Sequence, residues 1–114
     1  MTESMKNQPT NQRPIMLLID LLGKKWIMRI IWELNQDTCS FRTLQSRCEK
    51  ISPTVLNKRI KELIAANLVV KAKPNGYHLT GLGLGLIELF HPLNNWVKKW
   101  DKTIDDTTSG SNKR

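Results

Sequence analysis

The segment ISPTVLNKRIKEL, residues 51–63, carries the side chains of this sequence that are best suited to contact a partner. At about 100° per residue, helical spacing puts its apolar side chains on one side and its polar side chains on the other. The apolar side would hold Leu56, Ile60, Leu63 and the following Ile64. The polar side would present Thr54, Asn57, Lys58 and Lys61. Asparagine can pair with the edge of adenine and lysine with guanine, so the polar side predicts a helix that reads the major groove of DNA.

Further polar and basic side chains flank this helix. Ser52 is placed to cap its first turn, where backbone N–H groups attract phosphate. The segment 69–79 contains basic side chains and no acidic ones, which suits contact with the DNA backbone. With basic residues of the neighbouring helices added, the predicted DNA contacts are Ser52, Thr54, Asn57, Lys58, Lys61, Lys71, Lys73, Lys25 and Arg42. Arg59 and Glu62 lie near the flank of the helix and are expected to have structural roles.

The composition agrees with this interpretation but does not require it. The chain has 114 residues, of which 39% are hydrophobic and 25% charged, and its net charge is +8. Such a basic excess favours a polyanionic partner, which ribosomal, membrane-surface and nucleic-acid-binding proteins all have. Any amphipathic helix also has a charged outer face. A protein-interaction module without sequence-specific DNA binding is therefore the alternative function.

The elements that would position the polar helix begin near the N-terminus. Residues 1–12 lack periodicity and predict a flexible arm, and Pro14 suits the first turn of a helix that ends at Gly23. Apolar spacing predicts a second helix that includes Trp26 in its stripe. A third helix, with Ser40 as its cap, would precede the polar helix.

The second half of the chain predicts a hairpin and a long last helix. LVVKAK and YHL read as strands joined by the turn PNG, and Thr80 would cap a helix that runs to about Lys102. The glycines of TGLGLGL, residues 80–86, suit close helix packing. Residues 103–114 predict a disordered tail. The predicted fold is mainly α with a small β-hairpin wing, a winged helix-turn-helix domain over residues 13–102.

Other chemistry finds no support in the sequence. Cys39 and Cys48 lack metal-ligand spacing and suggest a reducing cytoplasm; we expect small semi-buried side chains, with a reactive Cys39 as the alternative. His78 and His91 have no companions at ligand spacing. No catalytic constellation, dinucleotide fingerprint, export signal or membrane-spanning run is apparent. We therefore expect neither an enzyme nor a metal, cofactor or membrane site.

Aromatic residues concentrate in the last predicted helix. Trp96 and Trp100 lie one helical turn apart, with Leu89, Leu93 and Val97 nearby. These side chains predict a seam between two subunits, and intrachain packing is the alternative. An aromatic seam could also admit a small apolar effector.

The ordered motifs resemble the HxlR-type transcriptional regulators, a MarR-like winged-helix group, over about residues 14–100. The resemblance rests on LLGKKW, SFRTLQ, ISPTVLNKRIKEL, NLV and the LT before the last helix, with Gly83 and Trp96 at the usual distances from Thr80. It implies a homodimer that is formed by the first and last helices and binds a near-palindromic operator. We predict repression, because nothing in the sequence resembles an activation surface. The predicted dimer contacts are Ile15, Leu18, Ile19, Leu22, Leu89, Leu93, Trp96 and Trp100.

The sequence also departs from the family pattern. The wing is several residues shorter than usual, Asn67 replaces a glycine, and Lys24 stands where a second glycine is common. Pro92 comes about a turn later than the usual proline of the last helix. Several redox-sensing relatives have a cysteine ahead of the first helix, which this sequence lacks. The resemblance therefore implies no thiol switch for this chain.

Overall fold

The computed structural model describes residues 9–107, with side chains for residues 13–105. Within that part, six helices accompany a two-stranded antiparallel sheet. The helices are α1 (Pro9–Leu22), α2 (Ile27–Gln36), α3 (Phe41–Arg47), α4 (Pro53–Ala65), α5 (Gly81–Glu88) and α6 (His91–Thr107), and the strands are β1 (Val69–Ala72) and β2 (Gly76–Leu79). The mainly helical chain with its hairpin confirms the predicted winged helix-turn-helix fold.

The hydrophobic core lies between α2, α3, α4, α5 and the hairpin. Two helices contribute stripes at the spacing that the sequence predicted. In α2 the buried side chains are Ile27, Ile30, Ile31 and Leu34, and in α4 they are Leu56, Ile60 and Leu63. Because these apolar sides face inward, the opposite side of α4 is left for contact with a partner.

The open end of the hairpin, where its first and last residues pair, is anchored to the core. Val69 pairs with Leu79 in the antiparallel register, and both side chains are buried. The segment before α3 adds a further short pairing, because the Cys39 N–H donates to the Tyr77 carbonyl at 3.1 Å and the Tyr77 N–H donates back at 2.8 Å. This pairing fixes the hairpin beside the helix-turn-helix.

The first helix begins earlier than the sequence analysis placed it. α1 starts at Pro9 and contains Pro14, so it includes residues 9–12, which the sequence analysis assigned to a flexible arm. A proline suits a first turn, and Pro9 meets that condition as well as Pro14 does. Residues 1–8 lie outside the described part of the chain. The start of α2 also differs from the prediction. Trp26 was expected in the apolar stripe of α2, but it precedes the helix with a left-handed φ of 81°.

The predicted long last helix is two helices, and this part of the prediction was wrong. α5 ends at Glu88 and α6 begins at His91, with Pro92 in its first turn. A proline ring clashes with the carbonyl four residues earlier, which here belongs to Glu88, so one continuous helix is disfavoured. α6 also extends beyond Lys102 into the predicted disordered tail, as far as Thr107. Residues 108–114 of that tail lie outside the described part.

One glycine of α5 explains how this helix packs. A Cβ on Gly83 would lie 2.3 Å from the Leu68 carbonyl oxygen and 3.2 Å from the Leu79 Cβ. Gly81 and Gly85 have no heavy atom within 4 Å of such a Cβ. The close approach is therefore made at Gly83 alone among these three, and its neighbour is the start of the hairpin rather than another helix.

Candidate nucleic-acid interface

The local sequence explains why α4 forms and which side it presents. The Ser52 Oγ accepts a hydrogen bond of 3.1 Å from the Val55 N–H, and Pro53 occupies the first turn, where no N–H donor is needed. The apolar stripe then fixes the helix to the core. These features orient α4 so that its polar side faces away from the protein.

The predicted reading side chains all lie on this outer side of α4. The exposed residues are Ser52, Thr54, Asn57, Lys58 and Lys61. Their hydroxyl, amide and ammonium groups can bond to base edges and phosphates. These side chains are therefore accessible to a partner on the side of α4 opposite its buried stripe.

α3 and the following turn lead the chain into α4. The Ser40 Oγ caps α3 by accepting a 3.0 Å hydrogen bond from the Thr43 N–H. Glu49 adopts a positive φ of 56° in the turn, and Ile51 is buried immediately before α4. The buried Ile51 anchors the turn, so α3 and α4 form the two helices of a helix-turn-helix.

The hairpin places further basic groups next to the helix-turn-helix. Asn67 ends α4 with a left-handed φ of 64°, and its carbonyl accepts a 2.7 Å hydrogen bond from the Thr80 hydroxyl. The Thr80 N–H donates to the Leu68 carbonyl at 3.0 Å. These bonds close the base of the hairpin, from which Lys71 and Lys73 extend as exposed side chains.

The remaining basic residues differ in the contacts that their side chains make. Lys25 and Arg42 are exposed, and the Lys25 Nζ lies 5.5 Å from the centre of the Trp26 ring. Lys24, by contrast, forms an ion pair with Glu62, with 3.0 Å between Nζ and Oε2. The sequence carries no local signal for this pair, because the two residues lie 38 positions apart.

Arg59 joins α4 to the junction between α1 and α2. Its Nε donates to the Lys25 carbonyl at 2.9 Å, and its Nη1 donates to the Glu62 Oε1 at 2.9 Å. Desolvation raises the pKa of Glu62, but hydrogen bonds and charges from Lys24 and Arg59 outweigh it and lower the pKa below the ordinary value. These contacts agree with the structural roles expected for Arg59 and Glu62.

The cysteines and histidines offer little chemistry. Cys39 and Cys48 are buried, more deeply than predicted, and desolvation raises the pKa of both thiols although nearby arginines lower it. A protonated, enclosed thiol is a poor nucleophile. Within residues 13–105, no group of three or more His, Cys, Asp or Glu side chains could hold a metal ion. Among the described helices, none is long and apolar enough to cross a membrane.

A second accessible surface of the molecule is apolar. Of the predicted dimer contacts, the exposed ones are Ile15, Ile19, Leu89, Leu93, Trp96 and Trp100, while Leu18 and Leu22 are half-buried. Trp96 remains 57% exposed even though its ring stacks on Trp100 with centroids 5.9 Å apart. Leu89, Phe90, Pro92, Leu93 and Trp96 line an open groove of about 450 Å³ at the start of α6.

Sequence reasoning missed several exposed apolar residues. They are Met16, Leu17, Val70, Leu82 and Leu84. They carried no usable signal, because apolar residues in a predicted helix or strand are equally compatible with a core.

Comparisons with known proteins agree with this geometry. The family model described as HxlR-like helix-turn-helix matches residues 21–105. An HTH-type transcriptional regulator of Bacillus subtilis, YvaP, is 26% identical over 88 residues, which cover 72% of this chain and 82% of that protein.

Solved structures give the same result. Quinone-bound YodB from Bacillus subtilis has a TM-score of 0.71 and 28% identity, covering 75% of this chain and 96% of that one. A possible HxlR family transcriptional factor from Thermoplasma volcanium has a TM-score of 0.65 and 32% identity, covering 75% and 82% of the two chains. The family resemblance predicted from the motifs is thereby confirmed, as is a role in transcriptional regulation rather than catalysis.

Proposed function

Because this chain belongs to the HxlR-like family of helix-turn-helix transcriptional regulators, we propose that it is a homodimeric repressor that reads a near-palindromic operator in the cytoplasm. The observation that carries this proposal is the polar outer side of α4. Thr54, Asn57 and Lys58 stand exposed on a helix whose opposite side is buried in the core. A helix presented in this way fits the major groove of B-DNA.

Different parts of the surface have different tasks in this proposal. Asn57, Lys58 and Lys61 contact base edges in the major groove. Ser52 and Thr54, at the positive end of the α4 dipole, contact phosphate. The remaining predicted contacts hold the DNA backbone on either side, and they are Lys71 and Lys73 of the hairpin, Lys25 before α2 and Arg42 on α3. Backbone contacts fix the register, and base contacts supply specificity.

The homodimer is supported by the exposure of α6. Every side chain from His91 to Thr103 is exposed in the single chain. Most of the stability of a helix in a protein comes from the packing of its apolar side, so the apolar stripe of α6 requires a covering surface. A second copy supplies one, because α1 and α6 both present unburied apolar side chains. Two-fold symmetry would then place the paired α4 helices about 34 Å apart, one turn of DNA.

The groove at the start of α6 is the place we propose for a small apolar effector. It is lined by Leu89, Phe90, Pro92, Leu93 and Trp96, of which Leu89, Leu93 and Trp96 are also proposed dimer contacts. A ligand bound there would contact the seam and could change the spacing of the two reading helices. Repression by exclusion of polymerase needs no further surface.

A binding experiment tests the proposed function. The DNA upstream of the gene is footprinted, and the affinity for the protected fragment is compared with that for a shuffled duplex across a salt series. We expect the fragment to bind about 1,000-fold more tightly or better, with both affinities falling steeply as salt rises. Equal affinity for the two duplexes, or none for either, would support the protein-interaction module instead.

A further inference from the structure

We propose that Arg59 and Glu62 are positioning residues that hold the reading helix α4 against the α1–α2 junction and so set its angle relative to the dimer-forming α1. This inference rests on the proposed function, since it concerns how α4 meets DNA. Neither side chain is among the reading residues, because both are directed to the flank of α4 and are only 17% and 22% exposed.

The contacts form a small closed network. The Arg59 Nε donates to the Lys25 carbonyl at 2.9 Å, and its Nη1 donates to the Glu62 Oε1 at 2.9 Å. The other Glu62 oxygen accepts from the Lys24 Nζ at 3.0 Å. Two side chains of α4 therefore make two separate bonds to adjacent residues of the junction. This double attachment adds a restraint on the orientation of α4 to the one that its buried apolar stripe already provides.

The junction itself is a tight turn. The Gly23 N–H donates to the Ile19 carbonyl at 2.9 Å, and the Lys24 N–H donates to the Leu21 carbonyl at 3.1 Å. Trp26 has a φ of 81°, which a non-glycine residue keeps only where its surroundings hold it. Arg59 is one of the groups that hold this turn, so the α1–α2 junction and α4 constrain each other.

The consequence lies in the symmetry of the dimer. α1 ends at Leu22, directly before the junction, and carries the exposed Ile15 and Ile19. If α1 is fixed across the two-fold axis, the junction determines where α4 stands relative to its symmetry mate. Loosening the network should therefore reduce discrimination between DNA sequences while leaving general attraction to DNA intact.

The chain offers a matched pair of variants. Arg59→Lys keeps the charge but removes the planar fork that reaches two acceptors at once. Arg29→Lys is the control, because Arg29, like Arg59, donates to one carboxylate on its own helix and to one backbone carbonyl of another segment. Its Nε donates to the Glu33 carboxylate on its own helix at 2.8 Å, and its Nη2 donates to the Arg47 carbonyl at 2.8 Å. The Arg29 bonds connect α2 to the end of α3 and do not involve α4.

The test measures, for the full chain and both variants, the ratio of affinities for the footprinted fragment and the shuffled duplex, together with the melting temperature. We expect Arg59→Lys to lower this ratio about tenfold, roughly the value of one base contact, with affinity for the shuffled duplex unchanged. Arg29→Lys should keep the wild-type ratio even if its melting temperature falls equally. Glu62→Gln, which retains side-chain size, serves as a second variant if Arg59→Lys does not fold, and its ratio should also fall.

The possible results separate the inference from the proposed function. If the wild-type chain does not discriminate between the duplexes, the proposed function fails. If the wild-type chain discriminates and Arg59→Lys discriminates equally well, the positioning role is overturned while the function stands. The positioning role is also overturned if Arg29→Lys lowers the ratio as much as Arg59→Lys does.

Discussion

Replacement of Gly83 by alanine tests the close packing of α5 against the hairpin. The added Cβ would lie 2.3 Å from the Leu68 carbonyl oxygen, a separation that real Cβ atoms do not adopt. The oxygen cannot simply withdraw, because it accepts the 3.0 Å hydrogen bond from the N–H of Thr80, the cap of α5. The added Cβ would also lie 3.2 Å from the Leu79 side chain, so it cannot shift away from the oxygen in that direction.

The expected magnitude follows from two opposing effects. Overpacking of a close contact typically costs about 1–3 kcal/mol. Alanine gains about 1 kcal/mol over glycine in a helix interior. We therefore expect Gly83→Ala to lower the free energy of unfolding by up to about 2 kcal/mol. For a domain of this size the melting temperature should fall by up to roughly 10 °C.

Gly85→Ala in the same helix is the matched control. A Cβ on Gly85 meets no heavy atom within 4 Å, so only the gain in helix propensity applies. Thermal unfolding followed by circular dichroism, at one fixed protein concentration, should show opposite signs for the two variants. If Gly83→Ala melts at or above the temperature of Gly85→Ala, the close approach of α5 to the hairpin described here is refuted.

The remaining predictions concern binding, assembly and titration. Asn57→Ala should reduce the ratio of specific to non-specific affinity, whereas Lys73→Ala should weaken both duplexes alike and reduce the salt slope by about 1; identical effects in gel-shift titrations would contradict this division between reading and anchoring. Trp96→Glu should convert the dimer to a folded monomer, because the side chain is exposed in one chain and would be buried only in the seam; light scattering that still reports a dimer would contradict the seam. Because the folded-state pKa of Glu62 is lowered, its stabilising contribution is complete above the unfolded-state pKa and is lost as pH falls through the folded-state value. Urea unfolding should therefore show wild type more stable than Glu62→Gln by about 0.5 kcal/mol at neutral pH, with the difference vanishing in acid, and a constant difference would contradict the ion pairs. Burial with a raised thiol pKa predicts that maleimide labels Cys39 only as fast as the chain opens, so rapid labelling of the folded protein would contradict its enclosure.

The features that the sequence predicted correctly are governed by short-range chemistry. Ser40, Ser52 and Thr80 each cap a helix by accepting from an N–H group three residues later. Asn67 adopts the left-handed conformation expected where a helix ends. In each case the residue that gives the signal and the backbone group that responds to it are a few positions apart, so one sequence window contains both.

The features that the sequence could not predict depend on distant partners. Lys24 and Glu62 are 38 positions apart, and neither carries a local signal for the other. The left-handed φ of Trp26 likewise contradicts its own preference, since a side chain with a Cβ is disfavoured there. Such a conformation arises only when tertiary contacts hold it, and Arg59 supplies one of them through the adjacent Lys25 carbonyl.

The aromatic stripe of α6 shows where sequence and structure must be combined. From sequence alone, Trp96 and Trp100 predict a subunit seam, and an intrachain core is the alternative, because both would bury the same side of a helix. Both rings are exposed, and the buried core of the single chain contains neither of them, which is the support for the seam proposed above. The first helix α1, with its exposed apolar side chains, and the polar reading helix α4 are joined through the α1–α2 junction. If the seam forms across α1 and α6, the contacts of Arg59 and Glu62 determine how rigidly α4 is held relative to the seam, and so how α4 meets the DNA.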